Sequence, residues 1–280
     1  MIEIIFLIIL AAVFMALAVV NDVKERIVPN WLNFSLIIFA LGFRFFYSLF
    51  NENFPFFYHG LAGFGIFFIL GNAFYYGRIF AGGDAKLMIA LGAVLPFSTI
   101  PTMNFKIFAV FFFLFLISGA VYGFIWSIFL PMKNFKEFRK ELSAQFEKNK
   151  KKFYPALIFG ILLLAAGILT NPIILYFGLI VLIMPYLYFY AKAVDENCLV
   201  RNVKTKNLTG GDWLYKDVKI GNRTIKARWD GLSESEIKIL RKKFKSVKIR
   251  QGIPFTPVFL MSFLILVWLY FSNSFIFEMI

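Results

Sequence analysis

The sequence predicts an all-α polytopic membrane protein of about eight transmembrane helices with a small α+β cytoplasmic domain. First, 60% of its 280 residues are hydrophobic and 20% are aromatic, with a mean hydropathy of +0.74. A soluble domain of this size could not bury so much apolar surface, so the bilayer is its natural solvent. Second, the apolar residues occur in membrane-length segments. Third, one long polar segment alternates polar and apolar residues, as short β-strands do.

The apolar segments have the length of membrane spans, although two of them, 85–97 and 156–170, are short for a full crossing. Asn171-Pro172 predicts a tight turn between two spans, with a single kinked helix as the alternative. The eight predicted spans are residues 2–20, 32–50, 60–77, 85–97, 106–130, 156–170, 173–191 and 255–277.

The spans and the polar segments divide the chain into five predicted regions. In the polar region, strand-like residues on both sides of Gly221-Asn222 predict a β-hairpin. Ser233 and Glu236 predict a capping box for an amphipathic helix, and "VKIR" predicts a last strand. The regions are a transmembrane core at 1–130, a basic cytoplasmic arm at 131–155, a transmembrane hairpin at 156–191, a soluble cytoplasmic α+β domain at 192–254 and a C-terminal transmembrane helix at 255–280.

Basic residues predict the orientation in the membrane. The net charge is +14, and 28 of the 30 Lys and Arg residues fall on one side of the eight-span arrangement, which the positive-inside rule makes the cytoplasmic side. This asymmetry accounts for the basic charge, and no nucleic-acid binding is expected. We expect a multi-pass cell-membrane protein whose amphipathic arm at 133–153 lies on anionic lipid headgroups.

The chain has one cysteine, Cys198, and one histidine, His59. These counts exclude an internal disulfide, a Cys-x-x-Cys zinc site and a His-Glu-x-x-His metalloprotease, and they weaken any Ser-His mechanism. We expect no metal and no organic cofactor. Any chemistry must come from Asp, Glu, Lys, Ser or Tyr.

Two carboxylates stand at the ends of spans. Asp22 follows the first apolar segment in "NDVKERIVPN", and Asp84 precedes the fourth in "AGGDAKLM". Two spans separate them, so both lie on the cytoplasmic face, and acidic residues at membrane level are usually functional. Two carboxylates that share a proton can activate water against a peptide carbonyl. We expect their side chains to face each other across a gap that substrate closes.

The neighbouring residues fit such a site. Gly82 and Gly83 remove side chains where backbone or substrate must approach closely. Lys86 either screens charge or extends to the interface, and Pro29-Asn30 starts the second span. The alternative is that Asp22 only ends a helix and that Gly-Gly-Asp is an ordinary turn.

A second Gly-Gly-Asp illustrates that alternative. The segment "TGGDWL" at 209–214 repeats the pattern in the polar region. We predict that Asp212 is a turn residue there.

Together, "NDVKERIVPN" and "AGGDAKLM" resemble the two motifs of the prepilin and preflagellin peptidases, which are Gly-x-Gly-Asp membrane aspartic peptidases. "GIPFTPVFL" near residue 252 is similar to the C-terminal region of the archaeal members. The resemblance implies catalytic roles for Asp22 and Asp84, with Gly82, Gly83 and Lys86 as motif neighbours. It also implies cleavage of short basic leader peptides from class III signal sequences of preflagellins or pilin-like precursors.

Two other classes of membrane protein also use a pair of aspartates. The signal-peptide-peptidase and presenilin type also uses two membrane aspartates with Gly-x-Gly-Asp, but this sequence has no Tyr-Asp pair at its first aspartate. A proton-coupled transporter with a relay of two aspartates is the non-enzymatic alternative, although the inverted repeats common in transporters are not evident.

Overall fold

The structure is a computed structural model that describes residues 1–221 and 223–272. Asn222 of the predicted hairpin turn and the end of the predicted 255–277 span lie outside the described residues. The chain forms two compact units. Residues 1–123 and the segment from 254 onward form unit 1, and residues 124–253 form unit 2.

Unit 1 is a bundle of apolar helices. Its helices are α1 (Ile2–Glu25), α2 (Asn30–Phe50), α3 (Phe54–Tyr76), α4 (Gly82–Gly92), the first part of α5 (Pro101–Met132), and α9 (Thr256–Phe271). Its core contains fully buried side chains from several of these helices, such as Leu7, Met15, Leu36, Met88 and Phe259. Most of the remaining apolar side chains are exposed on the outside, as expected for helices in lipid.

Five helices within the described residues are long and apolar enough to cross a membrane: α1, α2, α3, α5 and α7. A sixth is added if the bent α6 counts as one span. These helices identify a multi-pass membrane protein, and the predicted count of eight is not confirmed. The predicted span at 85–97 is the clearest difference, because α4 has only 11 residues and a length of about 16 Å. The hydrocarbon core is about 30 Å thick.

The residues after α4 explain this difference. Residues 93–97 are buried but not helical, so their carbonyl groups need partners from elsewhere in the protein. Arg44 of α2 supplies them, donating to the carbonyls of Ala93 at 2.9 Å, Val94 at 2.9 Å and Pro96 at 2.6 Å. Its remaining described bond goes to the Phe56 carbonyl at 2.9 Å. Arg44 therefore makes a buried, irregular segment possible.

The helical part of unit 2 is an antiparallel pair, α6 (Phe135–Leu169) and α7 (Pro172–Ala193), joined at the predicted Asn171-Pro172 turn. The Asn171 side chain caps α7 by accepting the Ile173 N–H at 2.8 Å. Glycines in both helices let them approach closely, as at Gly160 against Leu182. α6 bends by 77° between Phe135–Lys151 and Phe153–Leu169.

The first half of α6 is the predicted basic arm. Its apolar face packs against the end of α7, where Phe138 contacts Tyr190 and Phe146 contacts Phe189 with ring centroids 5.4 and 4.7 Å apart. Much of that face is therefore covered by protein. The exposed basic residues of the arm are Lys133, Lys136, Arg139, Lys140, Lys148, Lys150 and Lys151. Contact with anionic lipid headgroups remains a prediction.

The polar region of unit 2 is a small α+β fold. Strand β5 (Ser246–Arg250) pairs antiparallel with β1 (Val200–Lys204) on one side and β2 (Trp213–Leu214) on the other. Strands β3 (Val218–Ile220) and β4 (Arg223–Ile225) form the predicted hairpin. The capping box of Ser233 and Glu236 at the start of α8 (Glu234–Lys243) is confirmed, as is the last strand.

Candidate active site

Asp22 lies in the last turn of α1, and its side chain points into unit 1 with only 8% of the residue exposed. Its Oδ2 atom accepts two hydrogen bonds from Thr256, the first residue of α9. The Thr256 backbone N–H donates at 3.1 Å and the hydroxyl donates at 2.9 Å. The carboxylate therefore faces the N-terminus of a helix, where backbone N–H groups and the helix dipole stabilise negative charge.

Asp84 is the third residue of α4, which is too short to be a membrane span. Its carboxylate accepts a hydrogen bond from the Ala81 backbone, as an acidic residue in a first helical turn often does. Burial, and after it the negative charge of Asp22, raise the pKa of Asp84 to about 7, against the opposing effect of the Ala81 bond. The two predicted carboxylates are therefore brought close enough for one charge to act on the other.

A hydrogen bond also joins the two motifs that contain these carboxylates. Lys86 donates to the side-chain oxygen of Asn30 at 2.6 Å and so joins α4 to the first turn of α2. Pro29 immediately precedes that turn and occupies the N-cap position of α2. Lys86, Pro29 and Asn30 are thus placed in one cluster, where Lys86 has a defined hydrogen-bond partner.

The two glycines, Gly82 and Gly83, lie in the first turn of α4. A Cβ atom on Gly83 would lie 3.2 Å from Cβ of Val28 in the α1–α2 connection. A Cβ atom on Gly82 would meet only Tyr75, at 3.7 Å. Gly83 is therefore the position where close approach requires the absence of a side chain.

A cleft of about 390 Å³ lies beside this cluster, between α2, α3 and α4. Its wall is mainly apolar and aromatic and includes Gly82, Ala85 and Lys86 of α4, whereas neither Asp22 nor Asp84 lines it. Asn33 also borders it, and within the described residues both polar atoms of the Asn33 amide are buried without a hydrogen-bond partner. A mostly apolar cleft with a few polar groups is typical of a binding site.

The second Gly-Gly-Asp is a turn, as predicted. The Asp212 carboxylate accepts the Thr209 N–H at 2.8 Å, and Gly211 takes a φ of +93°, which favours glycine. Asp212 lies in unit 2, and its hydrogen bond closes the local loop.

Thr256 was missed as a site residue by sequence reasoning. The segment "GIPFTPVFL" indicated a similarity, but nothing in it predicted contact with a residue 234 positions earlier. The only local signal is Thr-Pro at a helix start. For metals, no group of three or more His, Cys, Asp or Glu side chains among the described residues could hold an ion.

Comparisons with known proteins agree with the motifs. Residues 9–128 match the family model of the type IV leader peptidase family. A preflagellin peptidase of Methanococcus maripaludis is 31% identical over 88 residues, which are 31% of this chain and 38% of that protein. A preflagellin peptidase of Methanocaldococcus jannaschii is 28% identical over 93 residues, which are 33% of this chain and 39% of that protein.

The chain therefore spans less than two fifths of the length of these curated relatives. No solved structure matches it at a significant level. The matched region contains Asp22, Asp84 and every other residue of the cluster around them except Thr256. Over residues 9–128, which are less than half of its length, the chain is therefore similar to the type IV leader peptidase family.

Proposed function

We propose that this protein is a membrane aspartic endopeptidase that removes short basic leader peptides from preflagellin-like or pilin-like precursors at the cytoplasmic face of the membrane. The observation that carries the proposal is the pairing of Asp22 and Asp84, which interact electrostatically although 61 residues lie between them in the sequence. The family of residues 9–128 and the names of the two similar archaeal proteins support the same class.

The two carboxylates have different surroundings. Asp22 accepts two hydrogen bonds, which stabilise a negative charge. Asp84 accepts one described hydrogen bond and has its pKa raised to about 7, mainly by burial. Asp22 is then the general base and Asp84 the general acid. In many enzymes, two carboxyl groups take the roles of acid and base because their environments differ.

The reaction follows from these roles. Asp22 takes a proton from water as the water oxygen attacks the carbonyl carbon of the scissile peptide, and Asp84 gives its proton to the carbonyl oxygen. The tetrahedral intermediate then collapses. The carbon–nitrogen bond breaks, the leaving amine takes the proton from Asp22, and Asp84 regains a proton from the intermediate's hydroxyl group.

The position of the pair suits a precursor with a polar leader and an apolar helix. Asp22 ends a membrane-length helix, so a peptide bond at the boundary between leader and helix would reach it. The loops at this end of the bundle contain most of the basic residues, and the positive-inside rule therefore predicts that this end faces the cytoplasm.

Co-expression with candidate precursors tests the proposal. Each precursor is expressed with and without the protein, and the new N-terminus is determined by mass spectrometry. We expect cleavage directly before the hydrophobic segment, leaving the basic leader as a separate peptide. Cleavage inside the hydrophobic segment would favour the presenilin-like alternative, and the absence of cleavage for every preflagellin and prepilin tested would contradict the proposed substrate class.

A further inference from the structure

The N-terminus of α9 is the one part of the site that comes from outside the matched region of residues 9–128. Thr256 is completely buried, and both of its donors meet the same oxygen of Asp22, at 3.1 and 2.9 Å. Within the described residues, no group donates to the other oxygen, Oδ1. Thr256 therefore fixes one oxygen of the carboxylate and leaves its second oxygen for water or substrate.

The start of α9 has few donors other than Thr256. Pro257, the second residue of the helix, has no N–H, and the Val258 N–H bonds to the Phe255 carbonyl at 3.0 Å. The helix has no side-chain cap of its own. Asp22 therefore serves as the acceptor for this helix start, and the positive end of the helix dipole acts on its carboxylate.

A cluster of aromatic rings links this helix start to Asp84. We call the rings of Phe80, Phe115, Phe255 and Phe259 the aromatic cluster. Phe255 directly precedes Thr256, and its ring centroid lies 6.4 Å from that of Phe80 and 5.7 Å from that of Phe115. Phe80 is buried in the segment that leads into α4, four residues before Asp84. The same packing therefore positions both carboxylates.

We propose that Thr256 is a positioning residue for the reaction, which orients the Asp22 carboxylate through its two donors. This inference rests on the proposed peptidase function and extends it to a residue outside the matched region. Thr256 contacts Asp22 and not the substrate, so its effect is on the orientation of the Asp22 carboxylate and not on substrate affinity.

Three variants separate this role from a purely structural one. Thr256→Val keeps the shape and the backbone N–H but removes the hydroxyl donor. Thr256→Ser keeps the hydroxyl and loses only a methyl group. Ser262→Ala is the matched control, because Ser262 is also a fully buried hydroxyl residue of α9, but it donates to the Val258 carbonyl at 2.7 Å.

Steady-state cleavage of a precursor in detergent is the first readout. We expect Thr256→Val to lower kcat by about 10- to 100-fold, as for the loss of a hydrogen bond to a charged group, with KM nearly unchanged. Thr256→Ser and Ser262→Ala should stay within about threefold of the unchanged protein. Normal kcat for Thr256→Val, or equal losses for all three variants, would overturn the inference.

Carbodiimide labelling gives a second readout that needs no precursor. Dicyclohexylcarbodiimide reacts with protonated carboxyl groups in apolar surroundings, and peptide mass spectrometry measures the labelled fraction of each aspartate. We expect a several-fold rise in Asp22 label for Thr256→Val, because the Thr256 hydroxyl no longer holds that carboxyl oxygen, but not for Ser262→Ala. Unchanged Asp22 label in Thr256→Val would overturn the inference.

The outcome separates the inference from the proposed function. If Asp22→Asn retains activity, the peptidase mechanism is wrong whatever Thr256 does. If Asp22→Asn is inactive and Thr256→Val behaves normally in both readouts, only the role of Thr256 is wrong.

Discussion

At the scale of single residues, the protonation state of Asp84 makes a prediction about pH. Asp84 acts as the acid only while protonated, and its pKa is raised to about 7, chiefly by burial. As pH rises through that value, Asp84 loses its proton and the active form disappears. We expect kcat/KM for precursor cleavage to fall about tenfold per pH unit above pH 7.

A stopped-time cleavage assay between pH 5 and 9, corrected for enzyme inactivation, measures this profile. A constant rate up to pH 9 would mean that Asp84 is not the acid. Because kcat/KM reports groups of the free enzyme, the profile can be compared directly with the raised pKa of Asp84.

The two neighbouring glycines give a paired prediction. A methyl group on Gly83 would press on Val28 at 3.2 Å, whereas one on Gly82 would meet Tyr75 at an ordinary 3.7 Å. Gly83→Ala must therefore shift the α1–α2 connection relative to α4 by a few tenths of an ångström. We expect it to lower kcat by roughly tenfold, since small displacements of reacting groups are costly.

Gly82→Ala is the control, and we expect it to stay within about threefold of normal activity. Both variants should be compared at equal amounts of folded protein. An equal loss in the two variants would indicate that the first turn of α4 needs conformational freedom and not close packing at Val28.

At the scale of elements, α4 and the segment after it depend on Arg44. Removing the guanidinium leaves the carbonyls of Phe56, Ala93, Val94 and Pro96 without their donor in a buried place. Each unpaired buried carbonyl costs about 1–3 kcal/mol. We expect Arg44→Leu to lower the free energy of unfolding by roughly 3 kcal/mol or more.

Unfolding in detergent, followed by circular dichroism, measures this loss. Lys24→Leu is the control because Lys24 is an exposed basic residue of the same unit, and its effect should be within about 0.5 kcal/mol. Similar stability for Arg44→Leu and Lys24→Leu would show that the carbonyls find other partners.

Arg44 also explains why one element could not be predicted. The apolar residues at 85–97 have the composition of a short span, but hydropathy contains no information on a partner for the backbone in another helix. The predicted spans that became α1, α2, α3, α5 and α7 are confirmed as membrane-length helices because their own backbones satisfy their hydrogen bonds. The capping box at Ser233 was predictable for the same reason, since its partners lie three residues apart.

The candidate site could also be predicted only in part from the sequence. Asp22 and Asp84 were identifiable as carboxylates at the ends of apolar segments. The bonds between Lys86 and Asn30 and between Thr256 and Asp22 join residues 56 and 234 positions apart, and they form only when the helices pack. Their roles in catalysis remain proposals.

At the scale of the whole molecule, the distribution of basic residues predicts which ends of the helices face the cytoplasm. In a Cys198→Ser background, Ser235→Cys places one thiol on α8 in the polar region. Glu52→Cys places one between α2 and α3, and both positions are exposed. We expect a membrane-impermeant maleimide to label Glu52→Cys in intact cells and Ser235→Cys only in inside-out vesicles. The reverse pattern would place the candidate site on the outer face.

The most direct test of the catalytic pair compares Asp22 and Asp84 with Asp212, which is the control. Asp84→Asn and Asp212→Asn make the same change in two Gly-Gly-Asp segments, and Asp22→Asn removes the proposed base. Each variant is purified, its folding is checked by its unfolding temperature, and precursor cleavage is timed by mass spectrometry. We expect Asp22→Asn and Asp84→Asn each to lose activity by at least about 100-fold, while Asp212→Asn cleaves normally. Near-normal cleavage by either Asp22→Asn or Asp84→Asn would contradict the aspartate pair as the catalytic centre.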